Sequence, residues 1–292
     1  MKARFTFISV VVLAAILLAV PAFAQIDISG EWAARATEDA AHRGPGAELG
    51  DYTGLPINEA ARRKASVWDA SILSLPERMA QPHPGPYFMR GPGPNIRVIK
   101  RSDPNTLAVV AYTLEGVFGR ADRVIWMDDR PHPGPNAEHT WQGFSTGRVQ
   151  GNQLVITTTH MKWGVIQRNG VATSPKAVMT EHFIRHGDYL TLVTIVDDPV
   201  YLEEPFIRTS HWQESSGVNP DARWLFEVVE ETAIPRGWVP HSPVGTRQDE
   251  FANRHGLPFE ATQGGKETIY PEYQQKLKQM LANMRPATQS AR

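Results

Sequence analysis

Residues 178–197 read VMTEHFIRHGDYLTLVTIVD, two runs rich in β-branched and aromatic residues on either side of the tight turn His186-Gly187-Asp188. The same arrangement occurs upstream, where FSTGRVQ (144–150) and QLVITTTHM (153–161) flank Gly151-Asn152. Each pair predicts a β-hairpin, because Gly, Asn and Asp tolerate the left-handed backbone that tight hairpin turns need. We therefore expect antiparallel sheet in the centre of the chain.

Counted along the whole chain, nine segments have this strand composition. No helical pattern separates the central ones, which disfavours a parallel α/β sheet. Closing the sheet on itself removes exposed edges, so we predict a mainly β protein built on a single antiparallel β-barrel, with peripheral helices and proline-rich wrapping segments. The nine predicted strands are Ile26–Trp32, Ile96–Arg101, Leu107–Leu114, Val117–Met127, Phe144–Val149, Gln153–Met161, Val178–His186, Tyr189–Asp197 and Phe206–Gln213.

Outside the strands, two helices are predicted. Asn58 is suited to cap a helix through Lys64, and Pro271 is suited to the first turn of a helix that runs to about Met284. Six prolines and three glycines disfavour regular structure in residues 76–94. A last strand is predicted at Trp224–Val229.

The amino terminus has the features of a secretory signal. Basic residues flank an apolar run from Phe5 to Val20, and Ala22-Phe23-Ala24 gives the small-x-small pattern of a cleavage site. We predict a cleaved signal peptide over residues 1–24 and a mature single-barrel domain over 25–292, with a helical carboxy-terminal extension. The protein is then periplasmic or secreted, without a transmembrane segment in the mature chain; an uncleaved anchor is the alternative.

Charge and cysteine content exclude several classes of protein. With 30 basic and 31 acidic side chains, the chain lacks the basic surface that nucleic acids require. The absence of cysteine excludes disulfides, thiolate metal sites and cysteine nucleophiles.

Several short motifs are distributed over most of the chain after residue 25. They are Asp129-Arg130-x-His132-Pro133, Trp141-x-Gly143-x-Ser145-x-Gly147, Gly151-x-x-Leu154-Val155 and Asp197-Asp198-Pro199, with weaker support from Val239-Pro240-His241 and residues 267–273. Together these motifs resemble those of a family of exported bacterial proteins with no established activity. In that family the hairpin commonly reads Trp-Glu-Gly-Asp-Thr, whereas residues 149–153 here read VQGNQ. This resemblance implies export and the barrel fold, and it assigns no chemistry.

The first strand carries a second resemblance. Gly30-x-Trp32 is similar to the opening of lipocalins and related calycins. That similarity implies a barrel that holds a small apolar ligand.

Histidines from separate segments are the candidate site residues. Leu154, Ile156, Thr158 and His160 share one face of a strand, and His182 lies on the next long strand. If both faces point inward, the imidazoles line a cavity and carry protons near neutral pH. The candidate catalytic residues are His132, His160 and Arg130, and the candidate ligand-lining residues are His139, Trp141, His182, Thr158 and Trp163.

Two sequence patterns have competing interpretations. Gly143-Phe144-Ser145-Thr146-Gly147 matches a serine-hydrolase elbow, but strands rather than a helix follow it, so we interpret its glycines as relieving crowding at a bend. His182 and His186 are four residues apart, but on a strand they lie about 13 Å apart, too far to share one ion.

The leading functional hypothesis is an exported barrel that binds a small, largely apolar or aromatic molecule. A cofactor-independent lyase, isomerase or hydrolase that uses the same histidines and Arg130 is the second hypothesis, and an envelope interaction protein is the third. No cofactor is predicted, and a metal held by histidines is left as an alternative.

Overall fold

The computed structural model describes residues 26–35, 47–68, 82–89, 95–116, 122–217, 243 and 245–284. Its centre is a closed barrel of nine strands in the order β1-β11-β10-β9-β6-β5-β4-β3-β2, with β2 pairing back to β1. The predicted mainly β, single-barrel fold is confirmed. The strands are β1 (Gly30–Ala34), β2 (Ile96–Ser102), β3 (Val109–Gly116), β4 (Arg123–Trp126), β5 (Phe144–Gln150), β6 (Gln153–Thr159), β7 (Gly164–Val165), β8 (Ala172–Thr173), β9 (Val178–His186), β10 (Tyr189–Asp197) and β11 (Phe206–Glu214).

Both tight hairpins form as predicted. β5 pairs with β6 around Gly151, and β9 pairs with β10 around Gly187; both glycines have the left-handed backbone that such a turn requires. One barrel pair departs from the antiparallel prediction, because β4 and β5 run parallel with Ile125 opposite Ser145. The segment 127–143 between them therefore crosses back along the outside of the barrel.

Strict alternation along the strands fills the barrel. On β6 and β9, for example, Leu154, Ile156 and Phe183 are fully buried, whereas Val155 and His182, which alternate with them, are more exposed. Sixteen buried residues form one apolar core that includes Trp32, Leu154 and Trp212. At one end of this core the indole N–H of Trp32 donates to the Ile28 carbonyl, and the Arg185 guanidinium lies 5.0 Å from the ring centroid of Trp32.

A second apolar cluster covers the opposite end. There, helix α1 (Glu59–Ser66) begins at Asn58, whose side chain accepts a hydrogen bond from the Ala61 N–H as the sequence predicts. A short helix α2 (Gly85–Phe88) interrupts the proline-rich segment and packs into this end of the barrel, where a side chain on Gly116 would clash with Phe88. The cluster consists of Tyr52, Leu55, Ile57, Ala61, Ala65, Met161, Ile166, Val171, Ala177, Met179, Val196 and Leu202.

The carboxy-terminal extension is helical. It consists of α3 (Glu250–His255), α4 (Phe259–Thr262), a 3-10 turn (Lys266–Ile269) and α5 (Pro271–Met284), and α5 has the predicted bounds. In the part of the chain that the structure describes, no helix is long and apolar enough to cross a membrane. The predicted signal peptide and the predicted strand Trp224–Val229 lie outside the described residues.

Candidate functional site

Among the residues that the structure describes, Arg123 and Glu181 form a charged pair inside the barrel. Arg123 at the start of β4 and Glu181 in the middle of β9 are 1 % and 0 % exposed, and both Nη atoms of Arg123 donate to the Glu181 carboxylate. Each residue occupies an inward position, since Arg123 lies opposite Leu114 and Glu181 lies opposite Ile156. The interior of the barrel is therefore polar at this level.

Hydroxyl groups complete this layer. Arg123 donates from Nε to Ser145 Oγ (3.1 Å) and from Nη2 to Thr158 Oγ1 (2.6 Å), and these two hydroxyls lie 2.8 Å apart. Thr194, the β10 neighbour of Glu181, is buried with no hydrogen-bond partner for its hydroxyl among the described residues. We call Arg123, Glu181, Ser145, Thr158 and Thr194 the interior polar layer.

A second network lies on the other side of the same strands. The segment 127–143 brings His132 against the outer wall of the barrel, where its Nε2 lies 2.8 Å from Thr146 Oγ1 and its Nδ1 lies 2.7 Å from Thr159 Oγ1. Thr159 Oγ1 also lies 2.8 Å from Nδ1 of His160, whose Nε2 lies 3.0 Å from the Gly134 carbonyl oxygen. We call Thr146, His132, Thr159 and His160 the outer-wall chain.

Elementary donor and acceptor rules fix the protons of this chain when both histidines are neutral. The Gly134 carbonyl only accepts, so His160 carries its proton on Nε2 and its Nδ1 accepts from the Thr159 hydroxyl. Thr159 then accepts from Nδ1 of His132, which leaves Nε2 of His132 to accept from the Thr146 hydroxyl. Every hydrogen bond in the chain points the same way along it, from Thr146 at one end to Gly134 at the other.

The backbone explains why His160 belongs to the outer wall. Thr158 points inward and Thr159 outward, so a regular strand would turn His160 inward. Instead His160 has φ +57°, which ends β6 and places its ring beside the hydroxyl of the preceding residue. Among the described residues three non-glycines have φ in this left-handed range; His160 belongs to the outer-wall chain, and Asp129 lies three residues before His132.

The expectation of an interior site built on His132, His160 and Arg130 is therefore wrong as to location. All three lie outside the barrel, and its interior charge comes from Arg123 and Glu181. His132 and His160, which the sequence analysis grouped as candidate catalytic residues, both contact the Thr159 hydroxyl.

Aromatic rings and paired charges surround the outer-wall chain. Phe144 meets the His132 ring edge-on with centroids 5.2 Å apart, and Arg130 lies 3.6 Å from the ring centroid of Trp126. Trp126 is the β4 residue directly beside Thr146 in the barrel wall. Arg130 also pairs with Asp128 through Nε and Nη2, and Arg148 pairs with Asp129 at 2.7 Å.

Burial changes the acid–base behaviour of His132. Partial desolvation lowers the pKa of His132 below its usual range, and the charge of nearby His160 lowers this pKa further. The His132 imidazole is therefore neutral at pH 7 and able to accept a proton.

The remaining predicted site residues are distributed over both faces. Thr158 lies in the interior polar layer, and the ring of His139 lies 5.1 Å from that of His160. His182 faces outward on β9, with Nδ1 3.1 Å from Gln153 Oε1. Two of the tryptophans lie under lysines: Trp141 under Lys162 and Trp163 under Lys64 of α1.

Sequence reasoning missed Arg123, Glu181 and the two outer threonines. For Glu181 a signal exists, because it stands between Met179 and Phe183 on the apolar face of a predicted strand. For Thr146 and Thr159 no comparable signal exists, since outward threonines are common in strands.

Within the described residues, no three histidine or acidic side chains lie close enough to hold a metal ion. No family model, curated protein or solved structure matches the chain.

Proposed function

We propose that the protein is an exported barrel that binds a small, largely apolar or aromatic molecule, and that the interior polar layer recognises the polar group of that molecule. The observation that carries this proposal is the Arg123–Glu181 pair, which is buried in a barrel whose core is otherwise mainly apolar. A buried ion pair adds little to stability, because desolvation offsets the attraction and apolar replacements are often neutral or stabilising. Recognition of a ligand gives a reason for its presence.

The layer retains hydrogen-bonding capacity for a ligand. The hydroxyl of Thr194 lacks a partner among the described residues, and each Glu181 oxygen accepts only one hydrogen bond from Arg123. A hydroxyl or amide group of a bound molecule satisfies both requirements, donating to Glu181 and accepting from Thr194.

Access is expected at the end of the barrel that α2 occupies. Phe88 of α2 lies in the barrel beside Ile96 and Gly116, and Gly85 packs against the flexible thioethers of Met161 and Met179. The buried ring of Phe88 at this point supports an aromatic ligand of similar width. Displacement of α2 admits a ring of the ligand in place of Phe88.

The test compares wild type with the double variant Arg123→Met/Glu181→Leu, which removes the pair without leaving an unpaired charge. Native mass spectrometry of protein purified from a bacterial periplasm detects a co-purifying molecule, and calorimetric titration with 2-naphthol probes an aromatic ring that carries one hydroxyl. We expect a ligand mass or naphthol binding in wild type and a loss of at least tenfold in affinity in the double variant.

The control variant is His182→Gln on the outer face of β9, which should bind as wild type does. Equal binding by wild type and the folded double variant would contradict the proposal that the interior polar layer recognises the ligand. Absence of both a ligand mass and naphthol binding in wild type would instead favour the interaction-protein hypothesis.

A further inference from the structure

The direction of hydrogen bonding in the outer-wall chain has a chemical consequence that is independent of ligand binding inside the barrel. We propose that the outer wall carries an acyl-transfer site in which His132 activates the hydroxyl of Thr146, while Thr159 and His160 relay the proton away.

The outer-wall chain pairs a nucleophile with a base. Thr146 Oγ1 lies 2.8 Å from Nε2 of His132, and with neutral histidines the hydroxyl is the donor in this contact. Nδ1 of His132 donates in turn to Thr159, which fixes the tautomer and orientation of the ring. A hydroxyl, a base within hydrogen-bond reach and a third group that orients the base are the elements of an activated nucleophile.

The hydrogen bonds of the outer-wall chain also give the proton a path away from Thr146. When Thr146 Oγ1 attacks, its proton moves to Nε2 of His132, the Nδ1 proton of His132 moves to Thr159, and the hydroxyl proton of Thr159 moves to Nδ1 of His160. The positive charge thereby passes from half-buried His132 to His160, and His132 becomes neutral again. The two hydrogen bonds that this relay crosses measure 2.7 and 2.8 Å.

The side chains around Thr146 indicate the class of substrate. Trp126 stands beside Thr146 in the barrel wall and Phe144 stands beside His132, so the hydroxyl has flat apolar neighbours. Arg130 lies over Trp126, and its Nη1 makes no hydrogen bond to any residue that the structure describes. This arrangement suits a small ester with an apolar group, whose carbonyl oxygen gains negative charge near Arg130.

The bonds balance in two half-reactions. A C–O bond forms between the ester carbonyl carbon and Thr146 Oγ1 while the bond to the leaving alkoxide breaks, and the proton returns along the relay and leaves from His132 to that alkoxide. Water then attacks the threonine ester with His132 as base. The products are an alcohol and a carboxylic acid, and the Thr146 hydroxyl is restored.

The experiment uses the full chain and p-nitrophenyl acetate as the acyl donor at pH 7.5. We expect a burst of nitrophenolate, a mass increase of one acetyl group and an adduct that peptide mapping places on Thr146. Thr146→Val should abolish the adduct, Thr146→Ser should retain it, and His132→Gln should slow acylation about 100-fold, the scale of general base catalysis.

The matched control is Thr157→Val, because Thr157 is the cross-strand neighbour of Thr146 and lies outside the chain of hydrogen bonds. This variant should acylate as wild type does. No adduct in wild type, or an adduct on lysine or histidine that persists in Thr146→Val, overturns the proposal. Circular dichroism confirms that each variant is folded, and Thr146→Ser gives a positive result that does not depend on losing a side chain.

The relay has a separate readout in the histidine tautomers. Nitrogen-15 NMR of wild type should show the proton of neutral His132 on Nδ1 and that of His160 on Nε2. Thr159→Val should move the His132 proton to Nε2, the tautomer favoured in free histidine, and slow acylation about tenfold with a changed pH profile. Unchanged tautomers in Thr159→Val, or His132 protonated on Nε2 in wild type, overturn the relay.

Discussion

The two faces of the barrel wall hold opposite kinds of polar network, and neighbouring residues supply them. Ser145 and Thr158 point inward and bind a guanidinium that is 1 % exposed, whereas Thr146 and Thr159, the next residue on each strand, point outward and bind a half-buried imidazole. The inner network holds permanent charges that are paired with each other. The outer network holds neutral groups whose protons can move.

This difference shows how the alternation of side chains along a strand allows one sheet to hold a different polar network on each face. Successive side chains of a β-strand point to opposite faces, so one of two consecutive hydroxyl residues lies inside the barrel and the other lies on its outer surface. The inner hydroxyls satisfy a charge that water cannot reach. The outer hydroxyls connect two titratable rings that water reaches in part.

Removing one partner of the inner pair should have the largest effect. Glu181→Leu leaves the Arg123 guanidinium buried without its carboxylate, and we expect the free energy of unfolding to fall by about 3–5 kcal/mol. The double variant Arg123→Met/Glu181→Leu should recover most of this loss, because no unpaired charge remains. Urea denaturation of the three proteins measures both effects, and a double variant as unstable as the single one would contradict this account.

Valine substitutions at the two neighbouring threonines of β6 compare the faces directly. Thr158→Val leaves a buried guanidinium N–H without an acceptor, and we expect a loss of about 1.5–3 kcal/mol, the range for hydrogen bonds to charged groups. Thr159→Val removes hydrogen bonds between neutral groups, and we expect a loss of about 0.5–1.5 kcal/mol. Equal losses in urea denaturation would show that the two networks do not differ as described.

The contribution of His132 to the pH dependence of stability is the smallest expected effect, and it belongs to the outer-wall chain. Because the pKa of His132 is lower in the folded protein than in the unfolded chain, the unfolded chain binds more protons as the pH falls through the region around and below 6.5. The free energy of unfolding should therefore be constant above this region and decrease as the pH falls through it.

His132→Gln should reduce this slope, which thermal unfolding between pH 5 and 8 measures. Thr157→Val on the same outer face removes no titratable group, so it serves as the comparison and should keep the wild-type slope between pH 5 and 8. The same slope in His132→Gln and in wild type would assign the pH dependence to other groups.

Much of the fold follows from local sequence. Gly151 and Gly187 sit in the tight turns that their neighbours predict, Asn58 caps α1, and α5 has the predicted bounds from Pro271 to Met284. Each of these features depends on residues within a few positions of one another, which is the range over which turn and capping preferences act.

The candidate sites depended on information of longer range. The sequence brought His132 and His160 into one hypothesis, but it placed them inside the barrel because alternation along β6 extends to His160 if the strand stays regular. The left-handed backbone at His160 turns its side chain to the outer face instead. The parallel pairing of β4 with β5 requires the connecting segment to cross back, and that segment carries His132 over the outer wall. The backbone at His160 and the crossing segment that carries His132 together place the two histidines on the outer face.

By itself the sequence determined the nine barrel strands and their period, the tight turns and the cap of α1, since these follow from the conformational preferences of neighbouring residues. Tertiary structure decided which charges meet, because Arg123 and Glu181 are 58 residues apart and contact each other only once the barrel closes. Tertiary structure also decided that Thr146 and Thr159 form hydrogen bonds with a histidine. These two hydroxyls lie on adjacent strands, and both contact His132 only because the segment 127–143 crosses the outer wall there.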